Sequence, residues 1–188
     1  MKINQIYFIK ILRRVARELL LKHRNEGRYI IERKIFPRIK GKKVLLVGCA
    51  PYTENYPKRL AKNELYSIDI DEKMREYGAK NHIIGNVVEI NKYFKKQFFD
   101  VILFFGVFGY GLNKEEEAEE TLKNFHFILK DNGLLFIMWQ DSPEHNQINP
   151  RKLKNFNLFT KIKFADYGSG YKTKKNQIFE FLMCAKAE

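Results

Sequence analysis

The stretch Lys43–Thr53, KVLLVGCAPYT, decides how the rest of the chain is read. Four consecutive apolar residues, Val44–Val47, end in Gly48. A short apolar run with no polar alternation predicts a strand buried on both faces, as in a parallel sheet. Set against the pattern G-x-G-x-x-G, the segment keeps Gly48, places Ala50 at the second glycine and Thr53 at the third. Asp69 follows about 20 residues on, at the end of the next strand-like run, LYSIDI at 65–70. That is the spacing at which an acid accepts hydrogen bonds from ribose hydroxyls in nucleoside-binding α/β domains. Pro51 has no N–H and biases Ala50 toward an extended backbone. A loop that cradles a pyrophosphate needs its amide donors, so this loop suits a nucleoside cofactor without a phosphate chain.

Working outward, strands and helices alternate. Residues 54–62 and 73–77 are predicted as helices, and 82–84 as the third strand. The run FDVILFF at 99–105 is a fourth, apolar strand. A helix is predicted over 113–130, with Asn113 as its N-cap, glutamates in its first turn and Asn132-Gly133 closing it. The fifth strand is LLFIMW at 134–139. Two further strands, 159–165 and 178–185, follow without a helix between them, which predicts an antiparallel pair at the sheet edge. The fold expected is α/β: a Rossmann-like three-layer sandwich with a mostly parallel seven-stranded sheet and an antiparallel terminal strand. An N-terminal helical extension, residues 1–41, precedes the domain at 42–188.

The chain has 188 residues and a net charge of +13. Residues 1–43 hold 14 lysines and arginines against 3 acids, residues 44–150 hold 12 against 16, and residues 151–188 hold 9 against 3. The basic excess therefore lies at the ends, which suits an anionic partner. Within 3–24, Phe8, Leu12, Val15 and Leu19 recur at helical spacing between arginines, the pattern of a basic amphipathic helix. That stripe could equally pack on the domain and cover the cofactor pocket. The arginines exclude a signal peptide, and no uncharged run is long enough for a spanning helix. The two cysteines, Cys49 and Cys184, show no metal or disulfide spacing and are expected as free thiols in a reducing compartment. No metal site is expected.

Taken in series, VLLVGCAPYT, YSIDID, HIIGN, FDVILFFGVFGYG and LKDNGLLFIMW resemble the successive motifs of class I S-adenosylmethionine (SAM)-dependent methyltransferases. The resemblance covers roughly residues 42–141. It implies that Gly48, Cys49 and Ala50 line the methionine part of SAM, and that Asp69 binds the ribose. Ile70 would pack on adenine, Asn86 and Val87 would meet its edge, and Gly106 and Val107 would lie beneath the sulfonium. Asn86 stands where the family has an acid. The segments GVFGYGLN and NGLLFIMWQD further resemble small bacterial methyltransferases associated with surface-polysaccharide or lipo-oligosaccharide synthesis.

Methyl transfer from a sulfonium is an in-line displacement that orientation alone can accelerate strongly, so no particular catalytic side chain is required. A base is needed only where the acceptor must lose a proton early. Asp141 and His145, beyond the fifth strand, are the candidates for it. Tyr110, beyond the fourth, is a candidate pocket residue, and Tyr29 a candidate lid. The acceptor expected is a small polar molecule, a sugar or glycan hydroxyl. The tetrad typical of amino-methyltransferases is absent after the fourth strand, where the chain reads FFGVFGYG. A cytoplasmic enzyme in peripheral contact with an anionic membrane through residues 1–24 is the expected setting. The competing expectations are an RNA methyltransferase that grips phosphates with its basic ends, and a non-catalytic module that has lost SAM.

Overall fold

The computed structural model describes residues 25–185 and, before them, residues 8, 9, 11, 12, 15, 16, 19, 20, 22 and 23. Five parallel strands form its centre: β1 (Lys43–Val47), β2 (Glu64–Asp69), β3 (Asn81–Ile84), β4 (Phe99–Phe105) and β5 (Leu129–Gln140). Their order is β3-β2-β1-β4-β5. The chain order thus reverses beside β1, and in open α/β sheets ligands bind beyond the strand ends at such a reversal. β8 (Gln177–Cys184) runs antiparallel to β5, and β6 (Phe159–Lys161) and β7 (Gly170–Lys172) both pair antiparallel with β8.

The sheet has eight strands rather than the seven expected. Gly170–Lys172 reads in the sequence as part of a polar loop, yet its backbone completes the ladder of Ile178–Glu180. Three residues carry too little pattern to reveal a strand. The expected 113–130 helix is α3, Glu115–Ile128; Lys114, without a side-chain cap, stands at the N-cap in place of Asn113. Glu115, Glu116 and Glu117 fill the first turn, where carboxylates stabilise the free N–H groups.

Alternation along the strands sorts the core onto two faces. Leu45, Val47, Ile102, Phe104, Leu135 and Ile137 meet Leu122 and Phe125 of α3. Val44, Leu46, Leu103 and Phe105 turn the other way. There they meet Tyr56 of α2 (Tyr56–Arg59) and Ile30, Ile35 and Phe36, which belong to α1 (Glu26–Ile30) and the helical turns after it. Residues 26–39, read in the sequence with the extension, therefore belong to the domain core. The described residues before Asn25 are helical and exposed, including Phe8, Leu12, Val15 and Leu19. Their stripe does not pack on the domain.

Among the described residues, two acids are buried within ion pairs. Glu180, fully buried on β8, is held by Arg151 and, at 3.4 Å, by Lys161. Arg151 also lies over the ring of Trp139, so the segment after β5 is pinned to the sheet. Glu32 receives Arg28 at 2.6 Å and Arg59 at 2.9 Å, joining α1 to α2. Removing one partner from such a group leaves a buried charge uncompensated, at a cost of about 3–5 kcal/mol.

His82 on β3 has Nδ1 2.8 Å from Ser67 Oγ of β2, and its Nε2 is buried without a partner. Burial lowers its pKa. The folded protein thus holds this imidazole neutral, and the stabilisation is complete above the ordinary histidine value of about 6.5. It is lost as pH falls below that value toward the depressed one. Urea midpoints measured on both sides of pH ~6 should show the parent losing stability at the acid side, and His82→Gln losing less.

Candidate active site

Beyond Val47 the chain leaves the sheet under tight backbone control. Gly48 N–H still donates to Ile68 O of β2, at 2.9 Å, as the ladder ends. Gly48 takes φ +81°, the left-handed region open to glycine, and a β-carbon there would stand 3.1 Å from Val107 Cγ2. The next amide, Cys49 N–H, donates to Asp69 Oδ2 at 2.7 Å. Ala50 is extended, φ −162° and ψ 165°, and its N–H reaches Thr53 Oγ1 at 3.1 Å. Pro51 then opens a short helical turn, Pro51–Thr53.

Every amide of Gly48, Cys49 and Ala50 is thus satisfied inside the protein, and Pro51 has none. From Gly48 through Pro51 the loop thus offers no free amide to a pyrophosphate, which agrees with the reading of Pro51. Cys49 serves through its N–H. Its thiol is buried in the core, and burial pushes its pKa up to about 12, so it stays an inert thiol.

Asp69 ends β2 half-buried. One carboxylate oxygen takes Cys49 N–H and the other takes Asp71 N–H at 2.9 Å. Each oxygen has a second lone pair, so two acceptor positions remain for ribose hydroxyls. Ile70 is 70% exposed next to it, an apolar surface suited to a flat base. Asn86 caps the helical turn Val87–Lys92, with Oδ1 accepting Val88 N–H at 3.0 Å. The oxygen assigned to the adenine amino group is therefore already engaged once, on an exposed side chain. Val87 packs against the α3-side core.

On the opposite side of the cleft, Gly106 (φ +72°) follows β4 and donates to Met138 O at 2.8 Å. The loop it opens is fastened by Phe108 and Leu112, both buried; Phe108 packs edge-on against Phe104. Between those anchors Tyr110 is thrust outward, 64% exposed. The segment 142–146 turns back over this loop through His145 N–H and Asn146 N–H, both donated to Ser142 O. It brings the His145 ring to 6.1 Å from that of Tyr110. Asp141 is drawn away into an exposed ion pair with Lys172 of β7 at 2.8 Å.

Tyr52 was not among the residues singled out in the sequence. The turn begun by Pro51 projects its side chain across the cleft, where Gly106 without a side chain leaves room: a β-carbon on Gly106 would lie 4.0 Å from the Tyr52 hydroxyl. Partial burial raises the phenol's pKa, with Tyr110, Cys49 and Asp69 nearby adding to the rise. It stays a neutral donor. An aromatic directly after the glycine-loop proline was the available signal. Tyr29, the candidate lid, lines a groove along the α1 side of the sheet, with Lys34 5.8 Å over its ring.

The meeting of Tyr110 and His145 depends on Gly109, whose φ is +85°. A β-carbon there would fall 1.8 Å from His145 O. Gly109→Ala should lower the unfolding free energy measured in urea by about 1–3 kcal/mol and shift the His145 imidazole resonances. Gly111→Ala, which meets nothing within 4 Å, should stay within about 0.5 kcal/mol of the parent.

A family model described as a methyltransferase domain matches residues 45–137, from β1 through most of β5. No curated protein matches the chain. Among solved structures, a protein of Pyrococcus horikoshii is similar over 80% of this chain and 85% of its own, with TM-score 0.63 and 15% identity. The N-methyltransferase NodS of Bradyrhizobium japonicum, in complex with S-adenosyl-L-homocysteine, is similar over 78% and 80%, with TM-score 0.58 and 13% identity. A SAM-dependent methyltransferase of Archaeoglobus fulgidus is similar over 76% and 69%, with TM-score 0.54 and 20% identity. With this family match and this strand order, the chain belongs to the class I SAM-dependent methyltransferases.

Proposed function

We propose that the enzyme transfers the SAM methyl group to a hydroxyl of a small polar acceptor, a sugar or glycan. The observation that carries this reading is the make-up of the cleft wall beside Gly106. Tyr52, Tyr110 and His145 offer hydroxyls and an imidazole, groups that hydrogen-bond a polyol. In this reading Gly48, Ala50, Asp69, Ile70, Asn86, Val87, Gly106 and Val107 hold the cofactor, and Cys49 fixes Asp69. The cofactor supplies an electrophilic methyl group when bound, and the protein's part is to orient the acceptor toward it.

His145 is the better placed of the two base candidates, because it stands beside Tyr110 while Asp141 is paired with Lys172. The enzyme would work in the cytoplasm, with the N-terminal segment, whose Phe8, Leu12, Val15 and Leu19 are exposed, in peripheral contact with the inner face of an anionic membrane. Among the described residues no helix is long and apolar enough to cross a membrane. A second reading, methylation of RNA, is favoured by one feature, the net charge of +13.

Calorimetric titration with SAM tests the site. Asp69→Ala should abolish measurable binding, because the ribose loses its acceptor and Cys49 N–H loses its partner together. Tight binding by the variant would remove Asp69 from the site. His145→Gln should leave SAM affinity unchanged and lower kcat on a hydroxyl acceptor by about 100-fold or more, the usual worth of a positioned base.

A further inference from the structure

A groove of about 710 Å³ runs along the α1 side of the domain, between residues 29–40 and residues 58–62. Arg33, Lys34, Lys40, Lys58, Arg59 and Lys62 line it, against one carboxylate, Glu32. Glu32 is itself buried and held by Arg28 and Arg59, so it does little to offset the remaining cations. Tyr29, Phe36 and Pro37 give the walls apolar surface. Lys40 and Lys62 mark one end, just before the first residues of β1 and β2. The cofactor cleft lies past the other ends of these strands, roughly 15–20 Å away at about 3.3 Å per residue. A ligand seated there is therefore not the group that receives the methyl.

We infer that this groove docks phosphate groups of an anionic lipid surface. The charge demands an anion, and the choice among anions comes from the preceding segment. Phe8, Ile9, Leu12, Val15, Leu19 and Leu20 are all exposed on the helical residues that lead into α1. A soluble phosphate compound or a nucleic acid would use the cations and leave this apolar row in water. A bilayer takes both, the apolar row at the acyl boundary and the cations at the headgroups. α1, which follows the apolar row and carries Tyr29 of the groove, is fixed to the domain: Glu26 at its start accepts from the Tyr171 hydroxyl at 2.7 Å and Lys174 N–H at 3.0 Å. The inference deepens the proposed peripheral contact, moving its ionic part from residues 1–24 to a built groove on the domain.

Sedimentation of the whole chain with vesicles tests it, using phosphatidylcholine alone and phosphatidylcholine mixed with phosphatidylglycerol. The parent should pellet with the mixed vesicles only, and less as salt rises. Lys40→Gln/Lys62→Gln should lose at least about tenfold in partition, at roughly fivefold per charge, while Lys40→Arg/Lys62→Arg keeps it. Lys58→Gln/Lys62→Gln serves as a second pair should the first fail to melt like the parent. SAM titration run on the same proteins should be unchanged, which separates failure here from failure of the methyltransferase reading. Partition of both glutamine pairs equal to the parent's overturns the inference. So does displacement of the parent from vesicles by inorganic phosphate at constant ionic strength, which makes the ligand a soluble phosphate. Retention of single-stranded RNA, dependent on Lys40 and Lys62, without vesicle binding makes the groove a nucleic-acid site.

Discussion

The hydrogen bond from Cys49 N–H to Asp69 Oδ2 at 2.7 Å holds the reaction edge of this protein in shape. The sheet ladder ends one residue earlier, at Gly48, and the chain must turn away from β2 with its next amide unpaired. The acid that ends the neighbouring strand supplies the partner. The carboxylate then stands at a fixed height beside the loop, its remaining lone pairs turned to the cleft. The same contact explains why the loop tolerates Ala50 and Pro51. Internal satisfaction of the amides at Gly48, Cys49 and Ala50 withdraws them from any phosphate, and a cofactor without a phosphate chain does not call on them.

The other half of the cleft is organised by packing. Phe108 and Leu112 bury themselves on the α3 side, and the two glycines between and before them absorb the sharp turns. Tyr110 is held out between the two buried anchors. The segment after β5 is pressed down by Arg151 on Trp139 and Glu180, so His145 is presented by a pinned loop rather than by a free one. Buried ion pairs of this kind add little net stability, but they penalise any register that would separate the partners.

Charge is segregated around this frame. Cations gather along the α1 side and at the start of the sheet, whereas the acids of α3 lie on the opposite face.

The apolar run Val44–Val47, its glycine and the acid about 20 residues later determined the central sheet, the cofactor class and the position of Asp69. Such features follow from local periodicity and spacing, which a linear chain records directly. The family was legible for the same reason, since its motifs are the strand ends themselves. What the sequence could not record were relations between distant segments. The pairing of Gly170–Lys172 with β8, the approach of His145 to Tyr110 over Gly109 and the diversion of Asp141 to Lys172 each join residues that the chain separates. Tyr52 reached Gly106 because a side chain's direction depends on the turn that carries it. The groove arose because residues 26–39 pack into the core beside α2, setting two modest runs of cations face to face. Periodicity fixes which residues must be buried; the docking of one element on another decides which exposed residues meet.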